Sequence, residues 1–553
     1  MFKNVKVFRS GIIPSESQAG LRGVGALSLS SFWWSVIGGL IVGVLTTVAS
    51  GLLFPAFFKA ALVRLITPII GTPSNRNVFF QTMALPRMIG PLSLLQILIR
   101  GETGEPFRRP LGAARRFRGL DDLLFVPAQV AKLPTMSIED VDTTLVIGPR
   151  AKKPLTCKTP ILVAGMGYGV SVSERAKAAL AKGAQLAGTA LCSGASGFLP
   201  QERTTVGRYI VQYNRAGWGN AIEDLRQADA IEIAFGRGAS GGVSEPTPAS
   251  ELPARFRKLN NIPSDAREVR VEAQFEEIKD GRDLRRVADR LRAECGGVPI
   301  GVKLAAGDIE ADLEEVLVAE PDFIVIDGAE AGGEDGYAVM AEHFGLPTVY
   351  AIPRADHYLR ERGVRGRVTL IASGGLHEPG DFLKAMALGA DAVAIGTAAV
   401  LVMIHSQAFK VFPKDPPLTL ILPNTEGSDR FDFHAAAHHL ANFIRASTRE
   451  MAIGARGLGH LKLSQANVDD LYALTAEMAA ITGARPAYEP PSPWTQGEPP
   501  TTGGPGGRRY HPVGPAVSLT IRGGGQVEAA YFLEVRLDGV VVDGLGGDSQ
   551  EPA

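Results

Sequence analysis

The chain has 553 residues, 45% of them hydrophobic, and a formal net charge of -1. That length allows several domains or one large barrel with appendages, and so balanced a charge offers no basic surface for nucleic acid. The three cysteines, Cys157, Cys192 and Cys295, stand far apart in sequence, which excludes a disulfide framework, a paired-cysteine zinc site and iron–sulfur spacing.

No charged residue occurs from Gly23 to Phe58, and Phe32 to Phe54 is almost wholly apolar, with Trp33 and Trp34 at one edge. About 20 apolar residues span a bilayer core, and tryptophans favour its interface. The run starts too late and is too long for the apolar region of a signal peptide; a buried helix is the other reading. The expectation is an N-terminal transmembrane segment at about 24–58, within an anchor of residues 1–72. Lys3, Lys6, Arg9 and Arg22 precede it and Lys59, Arg64, Arg76 and Arg87 follow it. Basic flanks on both sides do not orient a single span, whereas a tight hairpin would place both in the cytoplasm. Residues 73–158 read as a linker with lead-in helices. Its arginines (Arg108, Arg109, Arg115, Arg116, Arg118) form either a solvated membrane-proximal face or an anionic-lipid contact.

From Ile161 a strand–helix rhythm begins. Short apolar runs followed by turn signals predict eight strands: Ile161–Ala164, Gly188–Leu191, Tyr209–Gln212, Ala230–Ala234, Pro299–Leu304, Phe323–Ile326, Thr369–Ala372 and Ala392–Ile395. Helical patterns over Ser173–Ala187, Leu284–Cys295, Ile309–Glu320 and Pro379–Leu388 separate many of them. The expected fold class is α/β, a TIM (β/α)8 barrel over residues 159–475 with C-terminal helices, interrupted by an insertion at about 236–272. Residues 487–515, rich in Pro, Gly, Ser and Thr, read as a linker, and residues 516–553 as a small β-rich tail.

The last two predicted strands each end in a small-residue loop, Ser373-Gly374-Gly375 and Gly396-Thr397-Ala398, with a helix opening after each. Such loops at the final two βα units of a barrel present backbone N–H groups and helix N-termini to a phosphate. The phosphate belongs to a cofactor or to a phosphosugar substrate. The first strand delivers Gly165-Met166-Gly167-Tyr168-Gly169-Val170-Ser171, a glycine at alternate positions that lets the backbone lie flat against a ligand.

This segment, together with Lys182-Gly183-Ala184-Gln185-Leu186-Ala187-Gly188-Thr189, Leu199-Pro200-Gln201-Glu202-Arg203, Ile210-Val211-Gln212-Tyr213, Ala228–Ile233, Val302–Leu304 and Val325–Gly328, carries an ordered resemblance. From Pro160 to about Gly459 the chain resembles the FMN-binding synthase domain of glutamate synthases, especially the short, membrane-anchored, stand-alone kind. The resemblance implies that Gly165, Met166, Gly167, Tyr168, Gly169 and Ser171 cradle the flavin ring. It implies that Gln212 bonds the pyrimidine edge and that Ser373, Gly374, Gly375, Gly396, Thr397 and Ala398 bind the FMN phosphate. Lys303, at the end of the fifth strand, would stabilise negative charge on a reduced flavin; its other reading is a lysine paired with Asp327 or Glu232. Lys303, Asp327 and Gln212 are the candidate catalytic residues. The carboxylates of Asp327-Gly328-Ala329-Glu330 either orient substrate or stabilise their own loop.

The chain also departs from the family. Val402 to Gln407 stands where the family carries its cluster cysteines, so no iron–sulfur cluster is expected, nor is a glutaminase domain before the barrel. Ala195 replaces a family glutamate in Ser193-Gly194-Ala195-Ser196-Gly197, and Ser240 falls near a family lysine. Arg203, Arg237 or Arg354 would then fix a substrate carboxylate, with His357 and Tyr358 as candidate proton donors. No Rossmann glycine fingerprint is present, so the electron donor is external: a ferredoxin, a reductase or a quinone. The implied activity is FMN-dependent reductive amination of a 2-oxo acid, by default 2-oxoglutarate to glutamate. The alternatives are an FMN oxidoreductase acting on another amino or hydroxy acid or on a membrane-soluble molecule, and a non-catalytic tethered flavoprotein. The expected location is the cell membrane with the barrel on the cytoplasmic side, and homo-oligomers are compatible with the pattern.

Overall fold

The computed structural model describes residues 119–489, apart from 244–245 and 333–336, together with residues 37, 39–43, 51, 53–64, 99, 536–537 and 540–541. The chain divides into two compact units, Met1–Glu105 and Pro106–Ala553. In the first unit, residues 39–43 and 53–64 are helical, and Leu40, Ile41, Leu53, Phe54 and Phe57 are exposed. Among the described residues no helix is long and apolar enough to cross a membrane, and most of the expected span at 24–58 lies outside them.

The second unit is built on a closed barrel of parallel strands: β1 (Ile161–Val163), β2 (Leu191–Cys192), β3 (Tyr209–Tyr213), β4 (Ala230–Ala234), β5 (Ile300–Ala305), β6 (Phe323–Asp327), β7 (Thr369–Ser373) and β8 (Ala392–Ile395). Each pairs with its neighbour in sequence, and β8 returns to β1. Strands covered on both faces are near-continuous apolar runs, which is why they were readable. The second strand begins later than the sequence predicts, because Gly188, at φ +75°, is the left-handed cap of the preceding helix.

The longer helices are α1 (Glu174–Ala187), α2 (Gly281–Glu294), α3 (Ile309–Val318), α4 (Thr348–Glu361), α5 (Pro379–Ala387), α6 (Thr397–Ile404) and α7 (Phe433–Gly457). Several start on an acceptor side chain: Ser173 receives Ala176 N, Asp280 receives Arg282 N and Asp283 N, and Asp432 receives His434 N and Ala435 N. In the lead-in, Ile99 is helical, residues 73–98 and 100–118 lie outside the described residues, and residues 119–158 carry short strands. Leu123–Phe125 pairs antiparallel with Leu471–Ala473, and Leu145–Ile147 forms a hairpin with Leu155–Cys157. The alternating burial of the hairpin strands is the period-2 signal that marks them. In the expected β-rich tail, Arg536–Leu537 and Val540–Val541 pair antiparallel.

Alternation along the barrel strands sorts the side chains. Outward residues such as Val163, Val211, Ile233, Val302 and Ile326 join the helices in the main core. Inward residues such as Leu162, Ile210, Phe323, Val325 and Ile371 form a second core with the 145–157 hairpin, which plugs the N-terminal end of the barrel. Gly148 N, just after the first hairpin strand, donates to Thr369 Oγ1 on β7. Phe323 fills the barrel at this level, and a Cβ on Gly301 would lie 2.4 Å from its ring. The ring is fully buried and has nowhere to go. Gly301→Ala should therefore destabilise the barrel by about 1–3 kcal/mol, read as a lowered midpoint in denaturant unfolding; an unchanged midpoint would show that the interior yields.

Candidate active site

Above the apolar plug, the same inward alternation becomes polar. Gln212 on β3, Glu232 on β4, Lys303 on β5 and Asp327 on β6 are all buried. Lys303 Nζ lies 3.0 Å from Asp327 Oδ2, and Gly238 N donates to that same oxygen at 3.2 Å. Glu232 Oε1 accepts from Gln212 Nε2 at 2.6 Å and from Cys192 Sγ at 3.7 Å. Burial disfavours the Lys303 ammonium, but Asp327 and Glu232 outweigh burial and hold its pKa above the ordinary lysine value. Burial pushes the Glu232 carboxyl up, against the pull of Lys303 and Gln212. The geometry shows the pairing reading of Lys303: it is paired with Asp327, and it also lines the cavity above.

That cavity holds about 1290 Å³. It is lined by Gly165, Met166, Gly169 and Ser171 from the loop after β1, and by Ser373, Gly374, Gly375, Gly396 and Thr397 from the ends of β7 and β8, the strand beside β1. Gly374 and Gly375 have φ of +105° and +67°, a left-handed backbone that side chains resist. Gly396 caps α6 without any side-chain partner, and a Cβ there would meet nothing within 4 Å. The first turn of α6 thus opens directly on the cavity. Asp327 Oδ1, on the same wall, is buried without a hydrogen-bond partner.

A smaller cavity of about 160 Å³ adjoins the first and shares Gly165, Val170, Arg237 and Lys303 with it. Gly167 and Gln212 line this second space, as do both departure positions, Ala195 and Ser240. Its outer wall comes from the insertion after β4.

Several predicted residues lie elsewhere. Tyr168 lines neither cavity; the insertion carries a helix, Ala254–Leu259, whose buried Phe256 packs edge-on against Tyr168 and Trp218 and draws both rings into a separate small core. Ala398 is buried within α6. Arg203 pairs with Asp229 at 2.6 Å, and Arg354 pairs with Glu310 across the faces of α3 and α4. Neither arginine reaches a cavity, because each sits on a helix flank with a carboxylate closer to hand. His357 faces Glu361 at 3.2 Å, largely exposed, and the Tyr358 hydroxyl donates to Glu314, so neither is placed to pass a proton to the site. Glu330 braces loops: it accepts from Thr348 N and Thr348 Oγ1, and Thr348 Oγ1 also donates to Gly374 O at 2.8 Å.

A family model described as the conserved region in glutamate synthase matches residues 114–460. The chain belongs to the glutamate synthase family. It is similar to the glutamate synthase large subunit-like protein of Rhizobium meliloti (strain 1021), at 32% identity over 408 residues, covering 70% of this chain and 92% of that one. The archaeal-type glutamate synthase (NADPH) of Thermotoga maritima is 29% identical over 366 residues, covering 64% of this chain and 70% of that one. The archaeal glutamate synthase (NADPH) of Methanocaldococcus jannaschii is 31% identical over 322 residues, covering 57% and 62%.

In this glutamate synthase-family barrel the sequence reading missed a buried ionic staple. Lys177 on α1 donates to Met166 O and Ser193 O, each at 2.9 Å, and pairs with Glu202 at 2.7 Å. Glu202 in turn accepts from the Tyr209 hydroxyl at 2.6 Å. The staple ties the loop after β1 to the loop after β2. Its signal was a lysine within the apolar stripe Ala176, Leu180, Ala184. Burial holds the Glu202 carboxyl above its ordinary value, against the pull of Lys177 and Tyr209. A carboxyl raised in the folded state contributes stability below its unfolded pKa and loses it as pH climbs through the folded one. Lys177→Met should cost about 3–5 kcal/mol at neutral pH, and less in acid, where Glu202 is protonated; a loss independent of pH in denaturant unfolding would refute the staple.

Proposed function

We propose that this chain is an FMN-dependent oxidoreductase of the glutamate synthase type, carrying out reductive amination of a 2-oxo acid. Family membership supports flavin-linked redox chemistry at the coarse level. The observation that carries the reading is an anion cradle and a buried lysine on the walls of one cavity. The chemistry of those walls fits FMN. Backbone at Gly374 and Gly375 and the uncapped first turn of α6 suit a phosphate. The unpaired Asp327 Oδ1 suits a hydrogen-bond donor from the bound group. The volume exceeds the ~300–1,000 Å³ of an ordinary small-molecule site. Ser373, Gly374, Gly375, Gly396 and Thr397 would hold the phosphate, and Gly165, Met166, Gly169, Ser171 and Lys303 the ring; bound FMN supplies hydride transfer there.

The chain's own residues prepare that chemistry. Asp327 and Glu232 keep Lys303 charged at the cavity wall, where a fixed cation favours negative charge developing beside it. Glu232 fixes Gln212, a residue of the smaller cavity's wall, by accepting from its amide. Substrate enters the smaller cavity, next to Lys303 and Gly165. In the overall reaction a 2-oxo acid and ammonia lose water to form an imine, which gains a hydride and a proton to give the amino acid; 2-oxoglutarate to glutamate is the starting case. We also propose that the N-terminal segment holds the barrel at the cytoplasmic face of the cell membrane, which the uncharged stretch from Gly23 to Phe58 supports. Electrons would then arrive from a ferredoxin, a reductase or a membrane quinone.

Purified in detergent, the chain should show flavin bands near ~370 and ~450 nm, and after reduction it should be reoxidised by a 2-oxo acid plus ammonium. A well-folded, colourless preparation that takes up no FMN would overturn the reading. Gly396→Asp is a sharper probe. The new carboxylate can cap α6 and leave the fold intact, yet it repels a phosphate at the same place; FMN should be lost without a drop in melting temperature, and full retention of FMN would remove the cradle assignment. Lys303→Met should retain FMN but slow its reduction about 100-fold; wild-type rates would contradict the role given to the ammonium. Deleting residues 1–72 should move the protein to the soluble fraction, whereas persistent membrane association would place the anchor elsewhere.

A further inference from the structure

The smaller cavity is unevenly furnished. Much of its wall is apolar, from Val170, Trp218, Val243, Val269, Val271 and Met340. Among the described residues its cations are Arg215, Arg237 and Lys303, and Glu251 adds a carboxylate at the boundary with the larger cavity. Two of the cations are already committed. Lys303 pairs with Asp327, and Arg215 donates to the carbonyls of Gly242 and Ala273. Among the described residues, the Arg237 side chain, exposed to solvent, makes no hydrogen bond or ion pair.

Arg237 is also well placed. It opens the Arg237–Gly241 loop, whose Gly238 N is held by Asp327 Oδ2 and whose backbone packs so closely on Ala331 that a Cβ at Gly238 would lie 1.9 Å from its carbonyl oxygen. Arg215 stands near enough that burial and the charge of Arg237 together lower its pKa to about 10. Two neighbouring guanidinium groups, one of them without a partner, form a seat for a single carboxylate. Ala195 and Ser240, on the same walls, add no further charge. A second carboxylate would lie against Val269, Val271 and Met340, part-buried side chains that offer it no hydrogen-bond donor.

We propose that this cavity selects a 2-oxo acid with one carboxylate and an apolar side chain over a dicarboxylate: Arg237, backed by Arg215, holds the carboxylate, and the valine and methionine wall takes the side chain. The inference rests on reading the adjoining cavity as the flavin site, and it replaces 2-oxoglutarate with an aliphatic 2-oxo acid as the preferred substrate class.

The test uses the full chain, FMN-loaded, in detergent. Binding of 4-methyl-2-oxopentanoate and of 2-oxoglutarate is measured by calorimetry without ammonium. The branched acid should bind at least tenfold more tightly, and Arg237→Met should remove most of that affinity while Arg237→Lys restores part of it. Equal or tighter binding of 2-oxoglutarate, or full affinity in Arg237→Met, would overturn the proposal. Ser240→Lys should shift the preference toward 2-oxoglutarate; an unshifted preference counts against the wall assignment. Reoxidation of the reduced protein separates this proposal from the reading beneath it. Tight binding of the branched acid without reoxidation by either acid plus ammonium would sink the oxidoreductase reading and leave the cavity's selectivity standing. Reoxidation by 2-oxoglutarate alone would sink the selectivity and leave the oxidoreductase.

Discussion

One carboxylate organises the mouth of this barrel. Asp327 ends β6, and its Oδ2 faces two donors from two other elements, the Lys303 ammonium from β5 and the Gly238 amide from the loop beyond β4. The first contact keeps a buried lysine charged; the second fixes the loop that carries Arg237. Cation and loop are thus referenced to one oxygen, and the two cavities meet at the residues it positions. Buried ion pairs add little to net stability, since desolvation offsets attraction. The value of this one lies in geometry: it holds a charge at a fixed place beneath a large cavity.

The barrel supports that placement by grading its interior. At the N-terminal end the 145–157 hairpin, Phe323 and Ile371 form an apolar plug. One or two residues further along the same strands, the inward positions become Cys192, Gln212, Glu232, Lys303 and Asp327. The plug keeps water from the base of the ionic cluster, so the charges there act through a medium less polarisable than water. Strand period and chemical gradient are the same fact seen twice, because a period of two decides which residues can ever meet on the axis.

Legibility in the sequence followed that logic. Strands buried on both faces announce themselves as apolar runs, and glycine loops follow the last two, so β7, β8 and the Gly374–Gly375 and Gly396–Thr397 turns that line the larger cavity were readable residue by residue. Lys303 and Asp327 were readable too, since each ends an apolar run. Pairings between distant helices were not. Arg203 and Arg354 looked available because nothing local neutralises them, yet Asp229 and Glu310 do so from other segments. Tyr168 sat within a glycine-rich ligand loop, and only the insertion's Phe256 explains why its ring turns away. Lys177 left a faint trace as a charge in an apolar stripe, but its partners lie on three other segments. Ala195 and Ser240 were legible only as two neutral residues, and the structure brings both to the lining of the smaller cavity.

The Lys177 staple bears on how such a site can diversify. A single ammonium grips the carbonyls of Met166 and Ser193, so the backbones of the loops after β1 and β2 are indexed to each other. Carbonyl contacts are blind to side-chain identity. Residues two positions beyond Ser193, such as Ala195, can therefore be exchanged while the backbone that faces the larger cavity stays in register. The staple makes the barrel mouth modular: backbone shape is held while side chains beyond the gripped carbonyls, Ala195 among them, are left free of it.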